Sequence, residues 1–110
     1  MSEAKEQQAL IEWCAWKRIP IFHIPNGGSR DKREAANLKR QGVKAGVPDL
    51  FVPVARGGWH GLFVEMKTAK GRVSSKQREW LDLLDAQGYL TRVCRGADEA
   101  MSVIGAYMSL

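Results

Sequence analysis

Hydrophobic and polar positions recur with two periodicities along the chain, one typical of helices and one typical of strands. Leu10, Ile11 and Cys14, with Trp13 as a further candidate, recur at helical spacing and predict the inner face of an N-terminal helix that Ser2 can cap. Short apolar runs bounded by Gly and Pro predict strands. The predicted helices cover residues 3–18, 33–41, 97–108 and a stretch from Ser74 or Ser75 to about 86, and the predicted strands cover 19–24, 50–54, 61–66 and 89–94.

The order of these elements predicts an α/β fold with a mixed β-sheet flanked by helices. The strands at 50–54 and 61–66 are joined by the glycine-rich loop 55–60 and should form an antiparallel hairpin. The strand at 89–94 follows a helix, which is typical of a parallel crossover. Residues 25–28 predict a turn. No linker or internal repeat divides the sequence, so residues 1–110 are expected to form a single domain.

Composition favours a polyanionic partner. The formal net charge is +5 and hydrophobic residues make up 45% of the chain, a globular balance with a basic surplus. No apolar stretch is long enough to cross a bilayer, and residues 1–8 do not form a signal peptide, so no membrane role is expected. Cys14 and Cys94 lack metal-ligand spacing and are expected to be small buried hydrophobes in a reducing cytoplasm.

Residues 29–45 carry six cations against the two acids Asp31 and Glu34. Any one of these cations taken alone is more simply part of a solvated basic loop, but the surplus as a whole favours a surface that contacts phosphates. A second basic turn is Lys70-Gly71-Arg72. The six cations of the first segment are Arg30, Lys32, Arg33, Lys39, Arg40 and Lys44.

Three residues at the ends of predicted strands carry candidate chemistry. Asp49 stands just before one strand and Glu65 near the end of the next, with Lys67 two positions later. Side chains alternate along a strand, so Glu65 and Lys67 share one face and Met66 lies on the other. Taken singly, Asp49 is a common turn residue after proline, and the other two are a solvent face or an ion pair. Together they suit a shared Mg²⁺ that activates water, with Lys67 on the water or the phosphate.

Four segments of the chain extend this pattern in a characteristic order. They are Phe22-His23-Ile24-Pro25-Asn26-Gly27-Gly28, Gly42-Val43-Lys44-Ala45-Gly46-Val47-Pro48-Asp49-Leu50, Glu65-Met66-Lys67-Thr68, and Gly71-Arg72-Val73-Ser74 followed by Gln77. Pro48-Asp49 with Glu65-Met66-Lys67 resembles the PD-(D/E)xK nuclease signature. The full set, which spans nearly the whole chain, resembles the virus-type replication–repair nuclease family (VRR-Nuc) in its stand-alone phage or bacterial form. The resemblance implies a restriction-endonuclease-like core.

The resemblance also implies roles for the matched residues. Asp49 and Glu65 are expected to be metal ligands, with the backbone carbonyl of Met66 as a third oxygen. Lys67 is expected to be the catalytic lysine, and Gln77 a polar residue that points from the following helix into the site. The implied metal is Mg²⁺ or Mn²⁺.

Other positions are assigned less sharply. An acid of the first helix completes the metal site in the family, and Glu3 fits that position, with Glu6 as the alternate. His23 is expected to contact phosphate or substrate rather than metal. Trp59 is expected to be exposed in its loop, where it could stack on a base, form a subunit contact or cover the sheet edge. The expected DNA contacts are His23, Lys39, Arg40, Lys44, Lys70 and Arg72.

The resemblance implies a metal-dependent, structure-specific DNA endonuclease. Small members of this kind look like Holliday-junction resolvases, which act as homodimers on four-way DNA junctions. The expected location is the cytoplasm of a bacterium or of a phage-infected host. Two alternatives stay open: a nuclease for flap, linear or single-stranded DNA, and a DNA-binding domain that retains a site without activity.

Overall fold

A computed structural model describes residues 2–25 and 31–110. Within them the chain forms four helices and four strands, in the order that the sequence predicts. Ser2 caps the first helix by accepting a hydrogen bond from the backbone N–H of Lys5 (3.2 Å). The elements are α1 (Glu3–Lys17), β1 (Phe22–His23), α2 (Lys32–Arg40), β2 (Leu50–Val52), β3 (Leu62–Lys67), α3 (Ser75–Ala86), β4 (Leu90–Arg95) and α4 (Ala97–Met108).

The four strands form one mixed sheet in the order β1-β2-β3-β4. β2 and β3 are an antiparallel hairpin with Phe51 opposite Phe63, while β3 and β4 are parallel with Glu65 opposite Val93. The ladder between β2 and β3 ends at Leu50, whereas the ladder between β3 and β4 continues to Lys67. This arrangement confirms the predicted α/β class with a mixed sheet flanked by helices.

One face of the sheet carries the hydrophobic core. Val64 and Met66 of β3 are fully buried there, against Leu10 of α1 and Ile104 of α4. Cys14 and Cys94 are also buried in this core as free thiols, and burial raises the pKa of each thiol to about 11. The prediction that both cysteines pack as small hydrophobes is confirmed.

The opposite face carries α3 and a row of aromatic side chains. Phe51 stacks on Phe63 with ring centroids 4.3 Å apart, and Phe22 and Tyr89 meet Phe51 edge-on. Phe22 lies at the end of this row and is 50% exposed. Because residues alternate along β3, the face that holds Phe63 also holds Glu65 and Lys67.

Three expectations about local structure were wrong. The strand predicted over 19–24 is only Phe22–His23, because Arg18 ends α1 in the left-handed conformation (φ 60°) and Ile19 donates back to the carbonyl of Cys14. The strand predicted over 50–54 ends at 52, and the next two strands are each displaced by one residue. Trp59 is not an exposed loop residue: it bridges to Arg56 and packs on the core. Residues 26–28 of the predicted turn lie outside the described residues.

α2 lies on the surface of the molecule, whereas each of the other three helices contributes buried residues. None of its residues is buried, and Asp31 caps it by accepting a hydrogen bond from the backbone N–H of Glu34 (2.8 Å). Gly42 follows the helix end at φ +104°, a conformation that glycine adopts readily. The short helix expected at 33–41 is therefore present and lies almost wholly in solvent.

Candidate active site

The end of β3 brings an acid and a cation together on the α3 face of the sheet. Glu65 is only 2% exposed, although it is ionisable, and Lys67 Nζ lies 3.5 Å from its Oε2. Met66, between them, faces the core. The alternation expected from the sequence is confirmed, and it places a charged pair where solvent is largely excluded.

Asp49 reaches this pair because the loop before β2 is docked on the start of α3. Gly46 has φ +91° and lies so close to α3 that a Cβ atom there would come within 2.7 Å of the carbonyl carbon of Lys76. Only glycine permits both the conformation and the contact. The loop then runs through buried Pro48 to Asp49, whose Oδ2 accepts a hydrogen bond from the backbone N–H of Met66 (2.8 Å).

Gln77 belongs to the site through the first turn of α3. Ser74 and Gln77 form a reciprocal capping box, in which the Gln77 Oε1 accepts from the backbone N–H of Ser74 (2.9 Å). That bond turns the amide nitrogen the other way, and Gln77 Nε2 donates to Glu65 Oε2 (3.0 Å). One side chain thus both begins the helix and contacts the buried carboxylate.

The electrostatics of the cluster are dominated by Glu65. Burial, and then the adjacent Asp49 carboxylate, raise the pKa of Glu65 from 4.5 to about 8, against the opposing effect of Lys67. Asp49 is also a hydrogen-bonding neighbour of Glu65. The protein therefore folds with two carboxyl groups in contact and one ammonium to balance them, so that a full negative charge is unbalanced when both acids are ionised.

This donor set fits a divalent cation. Carboxylate oxygens are the ligands that Mg²⁺ and Mn²⁺ prefer, and a cation would stabilise the ionised Glu65 against both causes of its raised pKa, burial first and then the repulsion from Asp49. Met66 adds a backbone oxygen on the same side, since the N–H and C=O groups of a strand residue point together and its N–H points at Asp49. Across residues 2–25 and 31–110, no three side chains of His, Cys, Asp and Glu gather as a metal-holding group.

The two acids considered for α1 are used differently. Glu6 Oε2 accepts a hydrogen bond from the backbone N–H of Ala97 (2.9 Å), so this carboxylate caps α4, which begins after Gly96 without a capping side chain. Glu3 is exposed in the first turn of α1. Both line a cavity of about 240 Å³ that Lys67 also lines.

His23 lies beside the cluster and is oriented by it. Its Nδ1 is 2.9 Å from the backbone carbonyl of Asp49, which also accepts the N–H of Ile24 (2.7 Å). A carbonyl accepts only, so Nδ1 carries the hydrogen and Nε2 is the nitrogen left for another partner. The ring is exposed at the sheet edge, next to the carboxylates rather than among them.

The predicted DNA contacts form two separate groups. Lys39, Arg40 and Lys44 are exposed along α2 and the loop after it. Lys70 and Arg72 are exposed on the turn that follows β3. Among the described residues, no hydrogen bond or ion pair joins either group to the carboxylate cluster.

One residue that holds the second basic group was not anticipated from the sequence. Arg95, at the end of β4, donates from Nη1 to the carbonyls of Thr68 (2.8 Å) and Gly71 (2.5 Å). It fixes the turn that carries Lys70 and Arg72. Only the parallel register of β3 with β4, with Lys67 opposite Arg95, would have indicated this contact.

Comparisons with known proteins place this α/β domain in a nuclease-type class. The VRR-NUC domain family model matches residues 1–98. A solved structure described as a VRR_NUC domain protein superposes with a TM-score of 0.85 and 35% sequence identity, over 100% of this chain and 90% of that one. No curated protein matches the sequence.

The chain belongs to the VRR-NUC domain family. Membership confirms the resemblance seen in the sequence and gives the chain a nuclease-type, DNA-processing function. No described helix is both long and apolar enough to cross a membrane.

Proposed function

We propose that this protein is a Mg²⁺- or Mn²⁺-dependent endonuclease that hydrolyses phosphodiester bonds in branched DNA. The observation that carries the proposal is the buried Glu65 carboxylate, in contact with Asp49, Lys67 and Gln77. Burying such a group costs stability that an apolar residue would not cost, so its presence at this position favours a functional role.

In the proposed mechanism Asp49, Glu65 and the Met66 carbonyl hold the cation, with Glu3 as the further acid and Glu6 as the alternate. The bound cation would supply an acidified water and positive charge at the phosphate. Glu6 is the weaker candidate because its carboxylate already caps α4. Glu3 has no such engagement among the hydrogen bonds within residues 2–25 and 31–110.

Lys67 and Gln77 act on the reacting groups in different ways. Lys67 is 14% exposed at its side chain, so its ammonium keeps access to a phosphate oxygen or an attacking water while its charge is little screened. Gln77 donates to Glu65 Oε2 and holds that carboxylate in one orientation. The glutamine is a positioning residue in this scheme, and Lys67 is the catalytic one.

Substrate binding is proposed to run along the two basic groups, with His23 Nε2 as a further phosphate contact. Replacing Lys39, Arg40 and Lys44 by alanine should weaken duplex binding. It should also reduce the slope of log K against log salt by about 2.7, because each phosphate that the protein no longer neutralises reduces the slope by about 0.9. An unchanged slope would remove α2 and its following loop from the binding surface.

A four-way junction is the proposed preferred substrate, cut by a two-fold homodimer in the cytoplasm. A two-fold dimer presents two identical sites, and resolving a junction requires two cuts. A nuclease for flap, linear or single-stranded DNA is the second candidate, and a DNA-binding domain without activity is the third.

The deciding experiment is cleavage of a labelled four-way junction beside a linear duplex of the same sequence, with Mg²⁺, with Mn²⁺ and with chelator. Wild type is compared with Lys67→Ala and with the matched control Lys17→Ala. Lys17 lies at the far end of α1 from Glu3, about 21 Å along the helix axis. We expect paired, metal-dependent cuts across the junction that only the Lys67 variant loses.

Each other outcome selects an alternative. Equal cutting of both substrates would keep the nuclease and refute the junction preference. A monomer at the assay concentration that still resolves junctions would refute the dimer. Tight binding without cutting in any metal would leave the DNA-binding domain as the function.

A further inference from the structure

An apolar cavity of about 530 Å³ lies on the α3 face of the sheet, beside the carboxylate cluster. Its walls come from the residues after β1, from the loop before β2, from β3 and from α3, and Lys44 is one of the lining residues. The volume falls within the range of small-ligand pockets. The apolar lining residues are Ile24, Pro25, Val43, Val47, Phe63, Trp80 and Leu84.

The cavity adjoins the reacting groups directly. Val47 comes two residues before Asp49, and Phe63 comes two residues before Glu65 on the same face of the same strand. Two residues of a strand span about 6.6 Å, so Phe63 and Glu65 are neighbours on that face. A nucleotide whose phosphate lies at the carboxylates has its neighbouring base within reach of the cavity.

Charge around the cavity matches a nucleic-acid strand. α2 ends at Arg40, and the next residues, from Gln41 to Lys44, form one side of the cavity. Lys44 lines the cavity together with two aromatic rings, Phe63 and Trp80, and Lys39 and Arg40 come just before this side in the chain. Aromatic walls bind bases by stacking, and cations at the edge bind the phosphates that flank a base.

We infer that this cavity receives one unpaired nucleobase of the DNA substrate, next to the scissile phosphate. The inference rests on the proposed function and names its substrate class: DNA in which one nucleotide beside the cut is unpaired, or can unpair at the end of a helical arm as at a four-way junction. A base inside a duplex is stacked and paired, and entering the cavity would require flipping it out. A bulged base is already free of that requirement, and a base pair at a branch point lies at the end of a helical arm, where opening it costs less.

The test measures binding without cutting, in the Lys67→Ala background with Mg²⁺ and by fluorescence anisotropy. Three DNAs are compared: a paired duplex, the same duplex with one bulged nucleotide, and that bulge made abasic. We expect the bulged DNA to bind about tenfold more tightly than either of the others. Leu84→Trp, which fills the cavity, should abolish this preference.

Leu83→Trp is the matched control, because Leu83 precedes Leu84 on α3 and is 51% exposed. It should leave the preference intact. Equal binding of the bulged and abasic DNAs by the parent protein would overturn the inference. So would a Leu84→Trp protein that keeps the preference, or one that changes oligomeric state, since a second copy of the chain would then be the occupant.

If Leu84→Trp does not fold, a second measurement decides. A 2-aminopurine placed at the bulge should lose fluorescence on binding the parent protein, through stacking on Trp80, and should keep it on binding a Trp80→Ala variant. Equal quenching by both proteins would overturn the inference. This binding assay measures no cleavage, so it can fail or succeed independently of the endonuclease proposal, which the junction-cleavage assay tests.

Discussion

Replacing Glu65 by glutamine should make the metal-free protein more stable at neutral and alkaline pH. Glutamine has the shape of the protonated acid and keeps a group that can meet Gln77, but it cannot ionise. In the wild type, burial and Asp49 raise the pKa of Glu65 from 4.5 to about 8. The folded protein thus retains a proton that the unfolded chain releases near pH 4.5.

The sign and size of the effect follow from that difference. The contribution of the protonated acid to stability is fully present below pH 4.5 and is lost as pH rises through about 8. Each pH unit within this window lowers the free energy of unfolding of the wild type by up to about 1.4 kcal/mol. The Glu65→Gln protein lacks this slope, so its advantage should grow to a few kcal/mol at the alkaline end.

Urea unfolding at pH 5, 6, 7 and 8 with chelator present measures the difference. Asp49→Asn is the informative second variant, because removing the neighbouring carboxylate should lower the Glu65 pKa and make the slope smaller without abolishing it. Adding Mg²⁺ should stabilise the wild type and not Glu65→Gln. Parallel pH profiles for wild type and Glu65→Gln would refute the reasoning, since Glu65 would then ionise as it does in the unfolded chain.

Three further substitutions test how the site is held. Ser74→Ala should lower the free energy of unfolding by about 1 kcal/mol in urea, because it removes the acceptor of the Gln77 N–H at the start of α3. Glu6→Ala should lower it by a similar amount by leaving α4 uncapped, and a loss of metal affinity as well would make Glu6 a ligand. Gly46→Ala should cost more stability and more cleavage than Gly42→Ala: both glycines have positive φ, but only the first would press a Cβ against α3. Equal losses for the two glycine variants, read by thermal unfolding and cleavage rate, would show that docking of the loop does not position the site.

The sequence predicted the helices and the face of β3 well, because both depend on local periodicity. Side chains alternate in direction along β3, which is enough to put Glu65 and Lys67 on one side. The strand expected at 19–24 failed for a reason that periodicity does not contain. Its apolar residues Ile19 and Ile21 pack on the core from an irregular segment, since α1 ends in a left-handed residue and Pro20 donates no ladder hydrogen bond.

The sequence indicated which residues form the candidate site, but it did not indicate which hydrogen bonds hold those residues in place. Asp49, Glu65 and Lys67 were recognisable from their types and spacing. That Glu6 caps α4 depends on packing between the first and last helices, ninety-one residues apart in the chain. That Gln77 meets Glu65 depends on where α3 begins, which the sequence left open between Ser74 and Ser75.

The unequal ends of the two ladders around β3 give the protein a built-in reporter. Beyond Val64, which lies opposite Leu50, β3 has no ladder partner in β2. The amide hydrogen of Met66 is instead hydrogen-bonded to the Asp49 side chain. Its NMR chemical shift therefore depends on the position of that carboxylate and on the ionisation of the adjacent Glu65, while the amides toward the start of β3 report the sheet. A single backbone resonance can follow the ionisation of the carboxyl pair in the intact protein, with no substrate present.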